Sequence, residues 1–277
     1  MSYDSTRAVR EADLISARVR QACTWSGIVL LTVALPTLVW VCDLWPPTYP
    51  VWSAERVKEF FLQDTNIKRL GIAVCMAVWS LMVPWGIALA SFTARAERGF
   101  RILAIVQIVG AAATMAIGEL MFLIWGVNLF RPDKFSAESM QMFNDLAWFI
   151  FVMFWAPGTL WCFAVGLSVL LDRTTDPVFP RWVGYMNMWA GVCFFPAALG
   201  LFFKEGPFAY NGAITVWIPA GIFFLWYLVM TFLMLRAGRR DIVHCKIELN
   251  RVEGESVATP DAASATAGEI SSRCECG

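Results

Sequence analysis

Long apolar stretches separated by short polar ones run along most of this chain. Six of the apolar stretches are long enough to cross the hydrocarbon core of a bilayer as a helix, which takes about 20 residues. They cover residues 24–42, 70–92, 102–127, 146–171, 182–203 and 213–235. The fourth contains Ala156-Pro157-Gly158, and because neither half would reach across a bilayer, we predict one kinked helix there. The pattern predicts an all-α fold, a polytopic transmembrane helix bundle with six spans over residues 24–240.

The Lys and Arg residues predict how this bundle is oriented. They are denser in residues 1–23, in the loops after the second and fourth spans, and directly after the sixth span than in the other loops. Cytoplasmic segments carry such an excess, so both termini are predicted to be cytoplasmic. Residues 1–23 form a cytoplasmic N-terminal segment in this interpretation. Residues 241–277 are polar and small enough that we expect a disordered cytoplasmic tail.

The composition supports a membrane chain and narrows its chemistry. Hydrophobic residues make up 58% of the 277 residues and charged residues 16%, against roughly a quarter in soluble domains. The formal net charge is zero, which gives no electrostatic reason to expect nucleic acid, so the lipid bilayer is the expected partner. His244 is the sole histidine, and the eight cysteines lack the spacing of a zinc site. We therefore predict no cofactor and no metal.

Two loops on the predicted outer side share a short pattern. Residues 53–55 and 136–138 both read Ser-Ala-Glu after a stretch that contains proline and an aromatic residue. Serine is a good helix N-cap, and glutamate in the first turn favours a helix start. The first loop is therefore predicted to contain a short helix that lies on the membrane surface or against the bundle.

Glu119 is the only acidic residue deep inside any predicted span. Placing an ionisable group at the bilayer centre costs about 2.5–3.5 kcal/mol on insertion scales, so such residues are candidates for function. One hypothesis is a proton relay or a cargo site. The alternative is a buried carboxyl group that bonds a neighbouring hydroxyl or backbone carbonyl.

Asn144 and Asp145 begin the fourth span on its outer side. A carboxylate near a helix N-terminus is favoured by the helix dipole, which is sufficient reason for its presence. The alternative is an outer mouth that attracts cations together with Glu119.

Gln107 and Asn187 lie at the same predicted depth on different spans, because each is six residues inward from a cytoplasmic arginine. A hydrogen bond between the two helices would satisfy both amides and hold the helices together. We predict such an interhelical polar pair.

The segment KEGPFAYNG, residues 204–212, separates the fifth and sixth spans. A turn at Gly206-Pro207 and a second at Asn211-Gly212 predict a tight outer connector. Lys204 would reach the headgroup water from there, and Phe208 would lie at the interface together with Tyr210. A hairpin connector is the simpler interpretation and a functional motif is the alternative.

Every predicted span except the third contains a proline. These residues are Pro36, Pro84, Pro157, Pro196 and Pro219. Each removes one backbone hydrogen bond and frees a carbonyl group. Transporters use such breaks, although neighbouring helices repair them in many membrane proteins.

The stretches FFKEGPFAYNG, FPRWVGYMNMWAG and FNDLAWFIF, with FRPD at residues 130–133, resemble a group of uncharacterised actinobacterial integral membrane proteins. The resemblance extends from about residue 44 to about residue 236. It implies six spans and a multi-pass protein of the plasma membrane. It implies no activity, and no functional residue follows from it.

The sequence therefore supports two functional hypotheses. The first is a small transporter or permease-like protein for an apolar or weakly polar compound, with Glu119 as its polar anchor. The second is a non-transporting accessory or assembly subunit that packs against a membrane-protein partner. No catalytic motif of the familiar hydrolases or nucleoside triphosphatases is present, so the hypothesis of an enzyme is less favoured than these two.

Overall fold

A computed structural model describes residues 3–97 and 101–258, and within these ranges every regular element is helical. The α-helices are α1 (Tyr3–Pro36), α2 (Ala54–Leu62), α3 (Thr65–Trp79), α4 (Met82–Thr93), α5 (Ile102–Phe130), α6 (Ala137–Met153), α7 (Trp155–Leu171), α8 (Arg181–Cys193) and α9 (Ile218–Ala258). Short π-helices follow α1 (Thr37–Val41) and precede α9 (Ala213–Trp217). A 3₁₀-helix (Phe195–Leu201) follows α8. The all-α prediction is confirmed for the described chain.

Five helical segments of the described chain are long and apolar enough to cross a membrane. They are Asp4–Val41, Thr65–Ala96, Ile102–Phe130, Ala137–Leu171 and Gly206–Gly254. The fifth predicted span, residues 182–203, is not among them, because α8 ends at Cys193 and the tighter 3₁₀-helix takes over. The structure thus gives five candidate spans where the sequence predicted six.

Proline residues lie directly after several of the breaks between helices. Pro84 and Pro157 lie in the first turns of α4 and α7, and Pro196 lies at the start of the 3₁₀-helix. A proline is tolerated in a first turn because the N–H group it lacks has no partner inside the helix there. The kink predicted at residues 156–158 is therefore the junction of α6 and α7, at Phe154.

Both Ser-Ala-Glu sequences start helices, as predicted. The Ser53 hydroxyl accepts a hydrogen bond from the Arg56 N–H at 3.3 Å, and the Ser136 hydroxyl accepts one from the Ser139 N–H at 3.2 Å. The first caps α2 and the second caps α6. The sequence left two positions for α2, on the membrane surface or against the bundle. In the structure α2 packs against the bundle, where it contacts α6.

Small residues bring α8 close to α7. A Cβ atom on Gly184 would lie 3.1 Å from the Gly166 carbonyl oxygen, and one on Gly191 would lie 3.3 Å from the Thr159 carbonyl oxygen. The Thr159 hydroxyl also donates to the Gly191 carbonyl oxygen at 2.9 Å. Such close packing of glycines with a hydroxyl bond is typical of helices that associate inside membranes.

The described chain divides into two compact units, residues 23–234 and residues 3–22 with 235–258. In the second unit, three ion pairs join the start of α1 to the end of α9 in antiparallel order. They link Arg7 to Glu253, Arg10 to Glu248 and Arg20 to Asp241 at 3.4–3.5 Å.

The helix α9 corrects part of the tail prediction. Residues 241–258, which the sequence assigned to a disordered tail, belong to this helix. The composition predicted that the charged side chains of this segment would be surrounded by solvent. Instead, Glu248 and Asp241 of α9 form ion pairs with arginines of α1. The rest of the predicted tail, with Cys274 and Cys276, lies outside the described residues.

Candidate functional site

An apolar cavity of about 120 Å³ lies within the unit of residues 23–234 and is partly open to its surface. Nine of its twenty wall residues are aromatic. They are Trp79, Phe151, Phe154, Trp155, Trp161, Phe194, Phe223, Phe224 and Trp226. Thr114, Thr215 and Cys162 are the other wall residues with polar side-chain atoms. The cavity therefore suits an apolar guest.

The wall is built where helices are interrupted. Trp79 is the last residue of α3, and Phe154 separates α6 from α7. Phe194 follows the last residue of α8, and Pro219 lies at the start of α9, directly after a π-helix. An interrupted helix turns its backbone and spreads its side chains, which leaves space that a continuous helix would fill. The sequence predicted the breaks but not that they meet at one cavity.

Most polar groups of the wall are already paired within the protein. The Trp79 Nε1–H donates to the Thr114 carbonyl oxygen at 3.3 Å, and the Thr114 hydroxyl donates to the Gly110 carbonyl oxygen at 2.8 Å. The Thr215 hydroxyl donates to the Phe208 carbonyl oxygen at 2.9 Å. Each threonine oxygen keeps a lone pair that can accept a bond.

Trp161 is a wall residue whose polar group is not paired. Its Nε1–H is buried and has no hydrogen-bond partner among the described residues. Its ring packs edge-to-face with Trp85 and Trp226, with centroids 5.9 and 5.4 Å apart. Leaving a buried donor unpaired costs about 1–3 kcal/mol, and protein atoms cover this N–H almost completely. Trp161 was not singled out from the sequence, where it is one of 14 tryptophans.

Glu119 does not line this cavity, although the preceding residues Ile117 and Gly118 do. Its side chain is half-buried on α5, beside the exposed Leu120 and Leu123. None of the described residues forms a hydrogen bond or ion pair with it. The alternative of a carboxyl group bonded to a hydroxyl or carbonyl inside the bundle is therefore wrong for the described chain.

Asn144 and Asp145 belong to a polar cluster with the connector between α8 and α9. The Tyr210 hydroxyl donates to the Asp145 carboxylate at 3.3 Å, and the Asn144 side-chain amide donates to the Thr48 hydroxyl at 2.9 Å. Tyr210 is 4% exposed and its ring is parallel to that of Trp148, with centroids 6.4 Å apart. Asp145 thus has a tyrosine partner, and the structure records no contact between it and Glu119.

The connector is folded more tightly than a plain hairpin turn. Gly206 has a φ of +76°, a conformation that favours glycine, and residues 206–208 form a short 3₁₀-helix that includes Pro207. A Cβ atom on Gly212 would lie 2.4 Å from the Pro207 carbonyl oxygen, so the chain closes on itself. Lys204 is exposed as predicted, whereas Phe208 and Asn211 are half-buried. Tyr210 is buried within the protein, and its position at the membrane interface stays a prediction.

Gln107 and Asn187 are both fully buried, but they do not bond each other. The Gln107 side chain accepts from the Thr93 hydroxyl at 2.9 Å and donates to the Ser168 hydroxyl at 3.1 Å. The Asn187 side chain accepts from the Trp226 Nε1–H at 2.7 Å and donates to the Val183 carbonyl oxygen at 2.8 Å. The predicted pair is wrong because equal depth does not place two residues on facing sides of their helices.

Three comparisons with known proteins complete this description. No family model, no curated protein and no solved structure matches the chain.

Proposed function

We propose that this protein is a permease-like membrane protein that binds a small apolar or weakly polar compound in the cavity described above. The observation that carries the proposal is an aromatic-walled cavity of about 120 Å³ in a chain with five candidate spans. An engineered apolar cavity of about 150 Å³ in another protein stays dry and binds benzene. A cavity of this volume therefore suits a compound with a single ring, or one ring of a larger compound.

The unpaired Trp161 N–H narrows the compound class. A guest with a single acceptor, such as a ketone, ether or ester oxygen, would pair this donor once the Trp161 ring turns its covered Nε1–H toward the cavity, while its apolar part stays against the aromatic wall. A hydrocarbon would leave the donor unpaired, and an ion would lose its hydration without a counter-charge in the wall. Weakly polar compounds are therefore favoured.

The interruptions around the cavity provide a means of opening it. A chain that is already broken at Phe154 and Phe194 bends there without losing further helical hydrogen bonds. Transporters use discontinuous helices around the binding site in this way. We propose that movement at these junctions admits the compound and releases it.

We also propose six crossings with both termini in the cytoplasm. The ion pairs between the start of α1 and the end of α9 support a common side of the membrane for these two helix ends, which would require an even number of crossings. The sixth would be α8 with the following 3₁₀-helix. At 1.5 and 2.0 Å per residue they extend about 33 Å, and the hydrocarbon core is about 30 Å thick. Residence in the plasma membrane is part of this proposal.

Bound compounds provide the first test. The full-length protein is purified gently in mild detergent or in lipid nanodiscs, and small molecules that it retains are identified by mass spectrometry. Binding of the identified compound is then measured from the change in tryptophan fluorescence on titration. We expect a weakly polar, ring-containing compound that binds at one site per chain.

Two leucine substitutions locate the site. Gly158 lines the cavity, and a Cβ atom there would be in ordinary contact with Phe194, at 3.8 Å, so Gly158→Leu fills the space without a backbone clash. Gly221 has open space around it and does not line the cavity, so Gly221→Leu is the matched control. We expect at least a tenfold loss of affinity in the first variant and none in the second. Equal binding by both variants would refute this site.

Glu119 favours a second function, that of an accessory subunit. A half-buried carboxyl group in the interior of a candidate span, without a partner in the described chain, would be covered if another membrane protein packed on α5. Purification from native membranes tests this directly. A stoichiometric protein that is recovered with the wild type and lost with Glu119→Gln supports the accessory role, whereas unchanged compound binding by that variant supports the cavity proposal.

A further inference from the structure

Two buried cysteines contact each other where the π-helix after α1 meets α3. Cys42 and Cys75 are both free thiols with 0% exposure, and their side chains interact with each other. A Cβ atom on Gly71, one helical turn before Cys75, would lie 2.5 Å from the Cys42 Sγ atom. The Cys75 Sγ atom is also 3.9 Å from the Ala34 carbonyl oxygen. Both sulfur atoms are therefore held between the same two helical segments.

A buried lysine lies beside this pair. Lys68 is 4% exposed, its Nζ donates to the Phe60 carbonyl oxygen at 2.5 Å, and it lies 3.8 Å from the centroid of the Phe60 ring. Its positive charge interacts with Cys42 and with Asp43.

We infer that Cys42 and Cys75 are a disulfide-forming pair that covalently ties the end of the first helix to α3. The inference rests on the proposed six-span topology, which places the end of the first span on the outer side. Disulfides form and persist in such oxidising surroundings. The bond would hold the first outer loop and α3 together at a junction that is otherwise held by apolar contacts.

The chemistry needs one oxidant, a protein disulfide of the thiol oxidoreductase class. The Cys42 thiolate attacks that disulfide, whose S–S bond breaks as a mixed disulfide forms. The Cys75 thiolate then attacks the Cys42 sulfur and displaces the second oxidant sulfur. Two electrons pass to the oxidant, and the two protons of Cys42 and Cys75 end on its thiols. The exchange takes place during folding, before both sulfur atoms are buried.

Cys162 provides a matched control. It is 2% exposed, about as buried as the pair, and no hydrogen bond between it and another cysteine is recorded in the described chain. If burial alone protected Cys42 and Cys75 from thiol labelling, it would therefore protect Cys162 as well. Only a disulfide protects Cys42 and Cys75 while leaving Cys162 reactive in denaturant.

The experiment measures thiol labelling in the full chain. Membranes are dissolved in denaturant that contains N-ethylmaleimide without reductant, and the digested protein is analysed by mass spectrometry. We expect one crosslinked peptide that joins Cys42 to Cys75, two hydrogens lighter than its reduced parts, with Cys162 fully labelled. After reduction both cysteines should label. Cys42→Ser should leave Cys75 labelled without reductant.

Labelling of both Cys42 and Cys75 in the unreduced wild type overturns the inference. Compartment reporters fused at Glu205 report the topology independently of thiol chemistry. Free thiols with Glu205 on the outer side refute the disulfide alone, whereas Glu205 on the cytoplasmic side refutes the topology on which it rests. Compound binding to the cavity is measured separately and depends on neither result.

Discussion

Gly118 is the position where a single methyl group should disturb the cavity wall most clearly. A Cβ atom there would lie 1.9 Å from the Trp79 Nε1 atom and 2.4 Å from its Cε2 atom. Trp79 is 9% exposed and cannot turn freely, because it bonds the Thr114 carbonyl oxygen and packs edge-to-face on Phe122 at 5.9 Å. In Gly118→Ala the indole must therefore move and give up its hydrogen bond.

The size of the effect follows from these contacts. Overpacking a core costs about 1–3 kcal/mol, and the lost hydrogen bond about 0.5–1.5 kcal/mol. Replacing glycine by alanine inside a helix stabilises that helix by about 1 kcal/mol, which offsets part of this cost. The net loss of stability is then about 0.5–3.5 kcal/mol. At about 2–4 °C for each kcal/mol in large domains, we expect Tm to fall by about 1–14 °C.

Thermal unfolding in detergent measures this change. A maleimide dye that fluoresces on reaction reports when buried thiols such as Cys162 become accessible. Gly126→Ala on the same helix is the control, because a Cβ atom there meets only Ile72, at 3.9 Å, and gains the same helix propensity. We expect its Tm to equal or exceed that of the wild type. If the Tm of Gly118→Ala equals that of Gly126→Ala, the close contact between α5 and Trp79 does not exist.

Three other predictions test separate parts of the structure. Asn187→Leu leaves the buried Trp226 N–H without an acceptor, so unfolding should become easier by about 1–3 kcal/mol, and an unchanged Tm would contradict the bond. Tyr210→Phe removes the 3.3 Å hydrogen bond to Asp145 and should cost about 0.5–1.5 kcal/mol in the same assay; a variant as stable as the wild type would show that this bond contributes nothing. Reporter fusions at Glu205 and at the carboxyl end should lie in opposite compartments, and a shared compartment would refute six crossings.

The polar groups inside the bundle show where sequence reasoning stops. Gln107 and Asn187 were recognised as buried interhelical amides, and both are 0% exposed. Their partners, among them Ser168 and Trp226, could not be predicted, because the rotation of each helix about its axis decides which side chains meet. The same reason applies to Glu119. Counting residues predicts its depth along α5, but it does not predict which side of α5 carries the side chain.

The connector at residues 204–212 shows the same division. Its turns follow from Gly206-Pro207 and Asn211-Gly212, which the sequence displays. The inward position of Tyr210 depends on Asp145 and Trp148, which are more than sixty residues away and come close only when α6 packs beside the connector. A local pattern carries no information about such a partner.

Hydrophobic runs, caps and prolines are local properties, and they were enough to predict an all-helical membrane chain, both Ser-Ala-Glu helix starts and the kink near Pro157. They act within one or two helical turns, so the sequence displays them directly. The cavity, the free Trp161 N–H and the contact between Cys42 and Cys75 join residues from distant parts of the chain. Packing alone brings such residues together, because helices with similar apolar surfaces can associate in many rotations and only the three-dimensional structure selects one.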